Sequence, residues 1–208
     1  MSTRSKVWIN DCILTDKTMT PDDILDFWFG APGSPERGKS RAIWFKKDAA
    51  FDAGLHARFG ALHSDARAGH LQAWETHGKS ALALIIVLDQ FSRNMCRGKP
   101  ESFAGDAVAL RLARTVVAHG WDAGLLPVMR QFVYLPFEHS ENLADQDESV
   151  RLFTQLAAQP DLSSLIEWAE KHREMIRRFG RFPHRNDILG RASKPEEIEF
   201  LQTPGSSF

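Results

Sequence analysis

The chain has 208 residues, of which 43% are hydrophobic and 25% are charged. These fractions are those of an ordinary folded protein, so they exclude extensive disorder and fibrous structure, and the length suits one domain with a large core. The formal net charge of −1 provides no overall field that would attract nucleic acid or anionic lipid. We therefore expect neither a nucleic acid nor a membrane as partner.

The cysteine content and the lengths of the apolar runs indicate in which cellular compartment the protein works. Cys12 and Cys96 are the two cysteines, and their separation excludes a disulfide framework and a cysteine zinc site. The N-terminal stretch lacks the apolar run of a signal peptide, and the longest apolar run, Ala81 to Leu88, is far shorter than the ~20 residues of a membrane span. The sequence predicts two free thiols in a cytoplasmic protein.

The first helix is predicted to begin near Thr20, after an irregular segment at residues 1–19. Thr20-Pro21-Asp22-Asp23 is typical of a helix start, because a hydroxyl caps the helix, proline takes the first helical position and acids lie in the first turn. A glycine- and proline-rich loop at 31–40 then separates this helix from a segment with apolar residues at helical spacing.

The middle of the chain predicts an antiparallel helix hairpin. One helix is expected from Lys79 to Cys96 and the next from Glu101 to His119, where Gly120 is well placed to end it. The helix that Pro127 opens is expected to restart or kink at Pro136, since the residue before a proline disfavours helical geometry.

Two further helices are predicted in the C-terminal half, over residues 141–158 and from Asp161 to Phe179, followed by a disordered tail at 203–208. No alternating apolar pattern or turn pair indicates a β-strand. The fold class is therefore all-α, with the domain covering residues 20–202.

A weak internal repeat relates the two halves of this helical region. A shift of 41 positions places Gln90-Phe91 on Gln131-Phe132 and Asp106 on Asp147. Hairpins that repeat at about 34 to 45 residues are typical of tetratricopeptide-like arrays. The repeat predicts such an array in one compact domain, and the alternative is a coincidence between two amphipathic hairpins.

The stretch "LDQFSRNM" places charges on an apolar helix. On a helical wheel, Asp89 and Arg93 continue the face of Leu82, Ile85 and Ile86, and they lie four residues apart within mutual reach. Buried unpaired charges cost several kcal/mol each. We therefore predict that these two side chains pair and recruit partners from elsewhere in the chain.

Two later segments have complementary charge and could supply those partners. Residues 138–148 carry five acids and no base, whereas residues 171–191 are rich in arginine. In addition, "FPHRN" repeats the Arg-Asn of "FSRN". Because arginine binds carboxylate or phosphate bidentately, these elements could hold an anionic ligand, or they could clamp Glu138 and Asp89. The residues of this predicted polar cleft are Asp89, Arg93, Asn94, Glu138, His139, Arg181, His184, Arg185 and Asn186.

Six of the eight histidines fall into two groups. His56, His63, His70 and His77 recur every seven residues, which on one helix separates neighbours by ~10.5 Å and is too far for a shared metal. We expect these four to be solvated, and we expect no metal or other cofactor. His139 and His184, with Glu138, are the candidates for acid-base chemistry, although each histidine could instead be a core residue.

Four motifs resemble a known family. "WFKKDAAFD", "LDQFSRNMCRG", "YLPFEHSENLADQ" and "RFGRFPHRNDILGR", spread over residues 22–201, are similar to the bacterial domain-of-unknown-function family 924. The family usually has proline where this chain has Ser92. The resemblance implies a tetratricopeptide-like helical fold and no particular activity.

Three functional hypotheses remain open from the sequence. In the first, the polar cleft binds a peptide segment or a small anionic molecule. In the second, the protein is a hydrolase-type enzyme that uses Glu138 with His139 or His184. In the third, the motifs form a purely structural lock between the C-terminal segment and the middle hairpins.

Overall fold

The computed structural model describes residues 19–159 and 162–206, so the predicted irregular segment lies outside it except for Met19. Within these ranges the chain is helical and has no β-strand, as predicted. Short 3₁₀ turns join the main helices. In chain order, the helices are α1 (Pro21–Phe29), α2 (Ala49–Arg67), α3 (Gly78–Ile85), a π-helical segment (Ile86–Phe91), α4 (Ser92–Met95), α5 (Asp106–Ala118), α6 (Pro127–Glu138), α7 (Leu143–Thr154), α8 (Leu165–Phe179) and α9 (Pro195–Leu201).

Helix α1 begins as its sequence predicts. Thr20 Oγ1 accepts a hydrogen bond from the Asp23 amide at 3.2 Å, and the Asp23 carboxylate accepts one from the Thr20 amide at 2.9 Å. This reciprocal pair satisfies two amides that have no partner within the helix. It fixes the point at which the chain enters the core.

Helix α3 lies at the centre of the core, where it packs against α1, α5 and α6. Every residue from Ala81 to Phe91 is buried, so this helix is enclosed on all sides, as its unbroken apolar run predicts. Aromatic rings from three helices meet beside it. The Phe132 ring lies 5.8 Å from Trp28 and 4.9 Å from Trp44, both edge to face, and Phe91 lies 5.6 Å from Trp28. Such contacts add to the burial energy of the rings.

The predicted continuous helix from Lys79 to Cys96 is interrupted by the π-helical turn at Ile86–Phe91. A π-helical turn accommodates an extra residue and frequently marks a functional site. Here it coincides with the change from apolar to polar residues. Ser92 follows it, and its hydroxyl donates to the Leu88 carbonyl at 2.6 Å.

Several predicted helix boundaries need correction. Residues 100–103 form a 3₁₀ turn, so α5 begins at Asp106 rather than at Glu101. Pro136 lies inside α6 without ending it, and α8 begins at Leu165 rather than at Asp161. The predicted stop at Gly120 is confirmed, since its φ of 67° lies in the left-handed region that glycine favours.

The C-terminal part packs along the hairpin of α6 and α7, and α8 contacts both helices. In the tail predicted to be disordered, residues 203–206 form a turn in which the Ser206 hydroxyl donates to the Leu201 carbonyl at 3.1 Å. Across residues 19–159 and 162–206, no helix is both long enough and apolar enough to cross a membrane.

Gly105 allows α5 to start directly against the π-helical segment. A Cβ atom at this position would lie 2.4 Å from the Leu88 carbonyl oxygen, which belongs to the backbone and cannot move aside cheaply. We expect Gly105→Ala to lower the free energy of unfolding by about 1–3 kcal/mol, the usual cost of overpacking. Urea unfolding followed by circular dichroism measures this change.

Gly54→Ala is the matched control. Gly54 is exposed within α2, and a Cβ there would meet no atom within 4 Å. This substitution should stabilise the protein by roughly 1 kcal/mol, because alanine favours a helix more than glycine does. Equal effects of the two substitutions would contradict the packing argument.

Candidate functional site

The polar cluster is centred on the Asp89 carboxylate, which is fully buried in the π-helical segment. Its Oδ1 lies 2.8 Å from Arg93 Nη1 and 2.7 Å from His139 Nδ1, and its Oδ2 accepts a hydrogen bond from Nε2 of the Gln90 side chain at 2.6 Å. Burial alone would raise the pKa of Asp89. Arg93 and His139 outweigh this effect, so the pKa lies well below its usual range and Asp89 is ionised.

His139, at the C-terminal end of α6, is held in one tautomer by this carboxylate. Because Asp89 accepts, Nδ1 carries the proton and the neutral ring has a lone pair on Nε2. Nε2 forms no hydrogen bond with the described residues. Burial, followed by the charge of Arg93, lowers the pKa of His139, against an opposing effect of Asp89. At neutral pH the arrangement is an unprotonated base oriented by a carboxylate, the pairing that hydrolases use.

Asp106, the first residue of α5, connects two arginines. Arg93 binds it bidentately, at 2.9 Å to Oδ1 and 3.1 Å to Oδ2, while Arg185 Nη1 lies 3.8 Å from Oδ2. Arg185 comes from the short 3₁₀ turn Pro183–Arg185 and also donates from Nη1 to the His139 carbonyl at 3.1 Å. The cluster therefore joins residues from four separate parts of the chain.

Arg185 lies against two phenylalanine rings and retains unused donors. Its guanidinium carbon lies over the Phe103 ring at 4.8 Å and over the Phe182 ring at 4.3 Å from the centroids. The side chain is only 8% exposed, yet its Nε has no hydrogen-bond partner, and Nη2 donates to none of the described residues. Burial, then the charge of Arg93, lowers the pKa of Arg185 to about 10, so it remains charged at neutral pH.

Glu138 and His172 form a second buried pair beside the first. Glu138 Oε1 lies 3.4 Å from His172 Nδ1, and this nitrogen donates to the Trp168 carbonyl at 2.8 Å. Burial, and secondly the Asp89 carboxylate, raises the pKa of Glu138 to about 8. Burial lowers the pKa of His172 to about 3. Both groups are therefore mainly neutral at pH 7, and their contact is not an ion pair.

His184 lies next to Arg185 on the same turn. Its ring centroid is 5.7 Å from that of Phe182, and Phe182 is itself 5.6 Å from the His172 ring. Burial, followed by the charge of Arg185, lowers the pKa of His184 to about 4. The structure thus brings all three acid-base candidates, Glu138, His139 and His184, into the region around Asp89 and Arg185.

Glu141 anchors the segment that carries Arg185. Its carboxylate accepts hydrogen bonds from the Phe182 amide at 2.8 Å and from Arg191 at 2.6 and 3.0 Å, one to each oxygen. The expected neutralisation of acids in the middle of the chain by bases near its end is therefore confirmed for this pair. It fixes the turn that presents Arg185 to His139.

Three predicted members lie away from Asp89. Arg181, predicted to lie in the polar cleft, binds Glu197 of α9 bidentately instead, at 2.6 and 2.7 Å. Asn186 donates to the same Glu197 at 3.1 Å. Asn94 donates to the Gln90 carbonyl at 3.0 Å and accepts a hydrogen bond from Arg97, so its side chain bonds only to residues close to it in the chain.

The expectation that all four regularly spaced histidines are solvated is wrong for His63, which is only 6% exposed. Its Nε2 lies 2.7 Å from the Ser92 hydroxyl. Because that hydroxyl already donates to the Leu88 carbonyl, it accepts from His63 and is not an activated nucleophile. His56, His70 and His77 are exposed as expected.

Sequence reasoning missed four side chains of the cluster: Phe103, Asp106, His172 and Phe182. A signal existed for His172, since it lies at helical spacing with the buried Ala169, Ile176 and Phe179 of α8. Asp106 follows a glycine at a helix start, which alone does not indicate a partner for Arg93. For Phe103 and Phe182, the sequence indicates only ordinary core residues.

Several side chains of the cluster are partly exposed. The side chains of Arg93, Asp106 and His139 are 19%, 23% and 14% exposed, whereas Asp89 is 1% exposed. A separate open cavity of about 350 Å³ shares none of these side chains and is lined by Arg114, Val117, Ala118, Phe137, Asp145 and Glu148.

Replacement of Glu138 by glutamine should change how stability depends on pH. The pKa of Glu138 is raised on folding, so its protonation stabilises the folded state at low pH, and this stabilisation is lost as pH rises to about 8. Between about pH 5 and about pH 8.5, Glu138→Gln should therefore gain stability relative to the wild type. The gain should reach several kcal/mol, as each unit of pKa difference is worth about 1.4 kcal/mol. Urea unfolding across this range tests it, and parallel pH profiles would contradict the assignment.

Comparisons with known proteins agree with this description of the fold. Residues 24–205 match the family described as "Bacterial protein of unknown function (DUF924)". Among solved structures, the chain is similar to a protein of unknown function, ATU0120 from Agrobacterium tumefaciens. The identity is 39%, the TM-score is 0.76, and the match covers 88% of this chain and 96% of that chain. No curated protein matches. The chain therefore belongs to the bacterial DUF924 family, as its motifs indicated.

Proposed function

We propose that this protein binds a small oxyanion ligand, a carboxylate or a phosphate, at the polar cluster, and that Arg185 is the residue that holds it. The observation that carries the proposal is the guanidinium of Arg185, which is more than nine-tenths buried while its Nε has no partner. Buried polar groups in native proteins are nearly always hydrogen-bonded, so an unused donor calls for an unseen partner. For a charged donor, the natural partner is an anion.

The geometry of Arg185 supports a bidentate ligand. Nη1 is already used by the His139 carbonyl, which leaves the edge formed by Nε and Nη2. The two N–H groups of this edge are parallel, and they match the two oxygens of a carboxylate or phosphate. Arg93 is less available, because both of its terminal nitrogens already bind Asp106.

A small ligand is favoured over a peptide segment. Around Asp89, the side chains of Arg93, Asp106 and His139 are partly exposed, none by more than 23%. An extended peptide would require a longer groove with several exposed backbone partners. A ligand with one oxyanion needs only a narrow opening to Arg185. We take the protein to act in the cytoplasm, as its sequence predicts.

Arg185→Met should abolish oxyanion binding, because methionine retains an apolar side chain between the rings and removes the charged fork. We expect wild-type protein to be stabilised against heat by millimolar acetate or inorganic phosphate beyond the effect of matched chloride, and the variant to show no such gain. Differential scanning fluorimetry measures both shifts in melting temperature.

Arg178→Met is the matched control. Arg178 also lies over two phenylalanine rings, at 4.6 Å from Phe179 and 5.6 Å from Phe200, but it is exposed. This variant should respond to the anions as the wild type does. If neither anion stabilises the wild type, or if Arg185→Met retains the response, the proposed function is refuted.

A hydrolase is the second candidate, and the Asp89–His139 pair favours it. His139 would accept a proton from water at Nε2, oriented by Asp89, while Arg185 holds the anionic group of the substrate. The raised pKa of Glu138 keeps its carboxyl group protonated at pH 7, as a proton donor must be. His184, whose pKa is about 4, would be neutral at pH 7.

His139→Gln distinguishes the enzyme from the binding protein. If the protein is a hydrolase of small anionic esters, this variant should lose at least about 100-fold in turnover, the usual contribution of a general base, while Arg178→Met retains full turnover. Colorimetric assays with phosphate monoesters and with carboxylate-bearing acetate esters measure it. No turnover by wild-type protein on either class would leave binding as the function.

The purely structural alternative accounts for Glu141 and Arg191 better than for Arg185. A lock between the C-terminal segment and α6 needs paired groups, and the Glu141–Arg191 bridge provides them. Arg185 contributes one hydrogen bond and leaves Nε unused at the cost of burying a charge. Such a residue is a poor choice where stability alone is required.

We also propose that α3 to α8 form a tetratricopeptide-like array. Support comes from neighbouring helices that pack in sequence order, α5 with α6, α6 with α7 and α7 with α8. At the 41-residue shift, Phe91 and its equivalent Phe132 are both buried. Ala157 departs from the pattern, since it is exposed where Val116 is buried.

A further inference from the structure

We infer that the ligand is a monocarboxylate and that it is bound together with one proton, which His139 takes up. This inference rests on the proposed function, because it assigns the chemical class and the pH dependence of the anion that Arg185 holds. It is carried by the balance of charges around His139, by the flat surroundings of the Arg185 guanidinium, and by the unbonded Nε2 of His139.

The charges of the cluster balance before any ligand binds. Asp89 and Asp106 contribute two negative charges, and Arg93 and Arg185 contribute two positive ones. A buried site that is already neutral has no spare charge for an anion, and an uncompensated buried charge is costly. One additional positive charge would compensate a carboxylate, whereas a phosphate dianion would require two.

His139 is the group best placed to supply that positive charge. Its Nδ1 bonds to Asp89, its carbonyl oxygen accepts from Arg185 Nη1, and its Nε2 has no hydrogen bond with the described residues. A proton on Nε2 would make the ring a cation between the Asp89 carboxylate and the ligand. The ring is also partly exposed, at 14%, so that it can exchange protons with solvent.

The other groups that face His139 are less suited to take up the proton. Glu138 precedes it on α6 and is already mainly protonated at pH 7, so it has no further proton to take up there. His172 of α8 is more deeply buried than His139 and donates Nδ1 to the Trp168 carbonyl. His184 lies beside the positive charge of Arg185 on the 3₁₀ turn, which disfavours a second cation there. From the π-helical segment, α4 and α5, the groups that face His139 are Asp89, Arg93 and Asp106, whose charges already balance that of Arg185.

The surroundings of Arg185 favour a planar anion. The guanidinium carbon lies over the Phe103 ring and the Phe182 ring, at 4.8 and 4.3 Å from their centroids. Two ring faces this close to the guanidinium carbon narrow the space around the group. A carboxylate that binds the Nε and Nη2 edge lies in the plane of the guanidinium, whereas the oxygens of a tetrahedral phosphate project out of that plane and need more room.

Nuclear magnetic resonance titration of ¹⁵N-labelled full-length protein tests the inference, with acetate, propionate and inorganic phosphate as probes. We expect the carboxylates to bind more tightly than phosphate. Their Kd should rise about tenfold per pH unit above about pH 7, since the uptake of one proton links binding to pH. The ¹⁵N signals of His139 should change from those of a neutral ring to those of an imidazolium as carboxylate is added.

Three variants identify the side chain that takes up the proton. His139→Gln should bind acetate more weakly, with a Kd that no longer depends on pH around pH 7, where Glu138 is still mainly protonated. His184→Gln should retain the pH dependence of the wild type, and Glu138→Gln should retain it as well. Loss of the pH dependence in His184→Gln or Glu138→Gln instead of His139→Gln would overturn the assignment of the proton.

Different experimental results would overturn this inference and refute the proposed function. Phosphate binding equal to or tighter than carboxylate binding, or a carboxylate Kd that is constant with pH, would overturn the inference while leaving Arg185 as an anion site. Absence of binding by all three probes, or binding that persists in Arg185→Met, would refute the proposed function itself.

Discussion

One buried carboxylate, that of Asp89, needs hydrogen-bond partners, and this need determines the arrangement of the site. Asp89 is 1% exposed at its side chain and lies on a helix that is apolar on all sides before it. An ion in that position is tolerated only if hydrogen bonds replace the water it has lost. Arg93, His139 and Gln90 provide them, and they come from the same helix and from the end of α6. The packing of α6 against the central helix is therefore also the way in which Asp89 is neutralised.

The remaining contacts follow from that requirement. Arg93 has more donors than Asp89 can use, and it extends to Asp106, which α5 can present because Gly105 lets its backbone approach Leu88. Asp106 in turn lies near Arg185, and the segment that carries Arg185 is held by Glu141. The cluster connects helices that are far apart in the chain, so a change at one member should affect the others.

The sequence predicted interactions that depend on local spacing. Asp89 and Arg93 lie one helical turn apart, and Thr20 with Asp23 forms a known capping pattern, so both pairs could be expected from their positions alone. The partner of Arg181 could not be predicted in this way, because residues 171–191 contain seven bases and their spacing does not indicate which acid each one binds. Its partner, Glu197, is brought beside it only by tertiary packing. The π-helical turn could not be predicted either, since the change from apolar to polar residues at Asp89 does not by itself indicate that one residue is inserted into the helix. Asp106 became recognisable only when α5 was brought beside Arg93.

The same constraint explains why Arg185 is informative. Asp89 and Asp106 are satisfied by neighbours, so their burial costs little beyond the loss of flexibility and serves cohesion as well as function. Arg185 stays charged at neutral pH despite its burial, because its pKa remains about 10, and packing against Phe103 and Phe182 offsets only part of the lost hydration. A leucine or methionine of similar volume would avoid this cost if the segment were needed only for stability. A guanidinium with an unused edge, beside a histidine whose tautomer is fixed by a carboxylate, is better explained by a ligand that completes its hydrogen bonds.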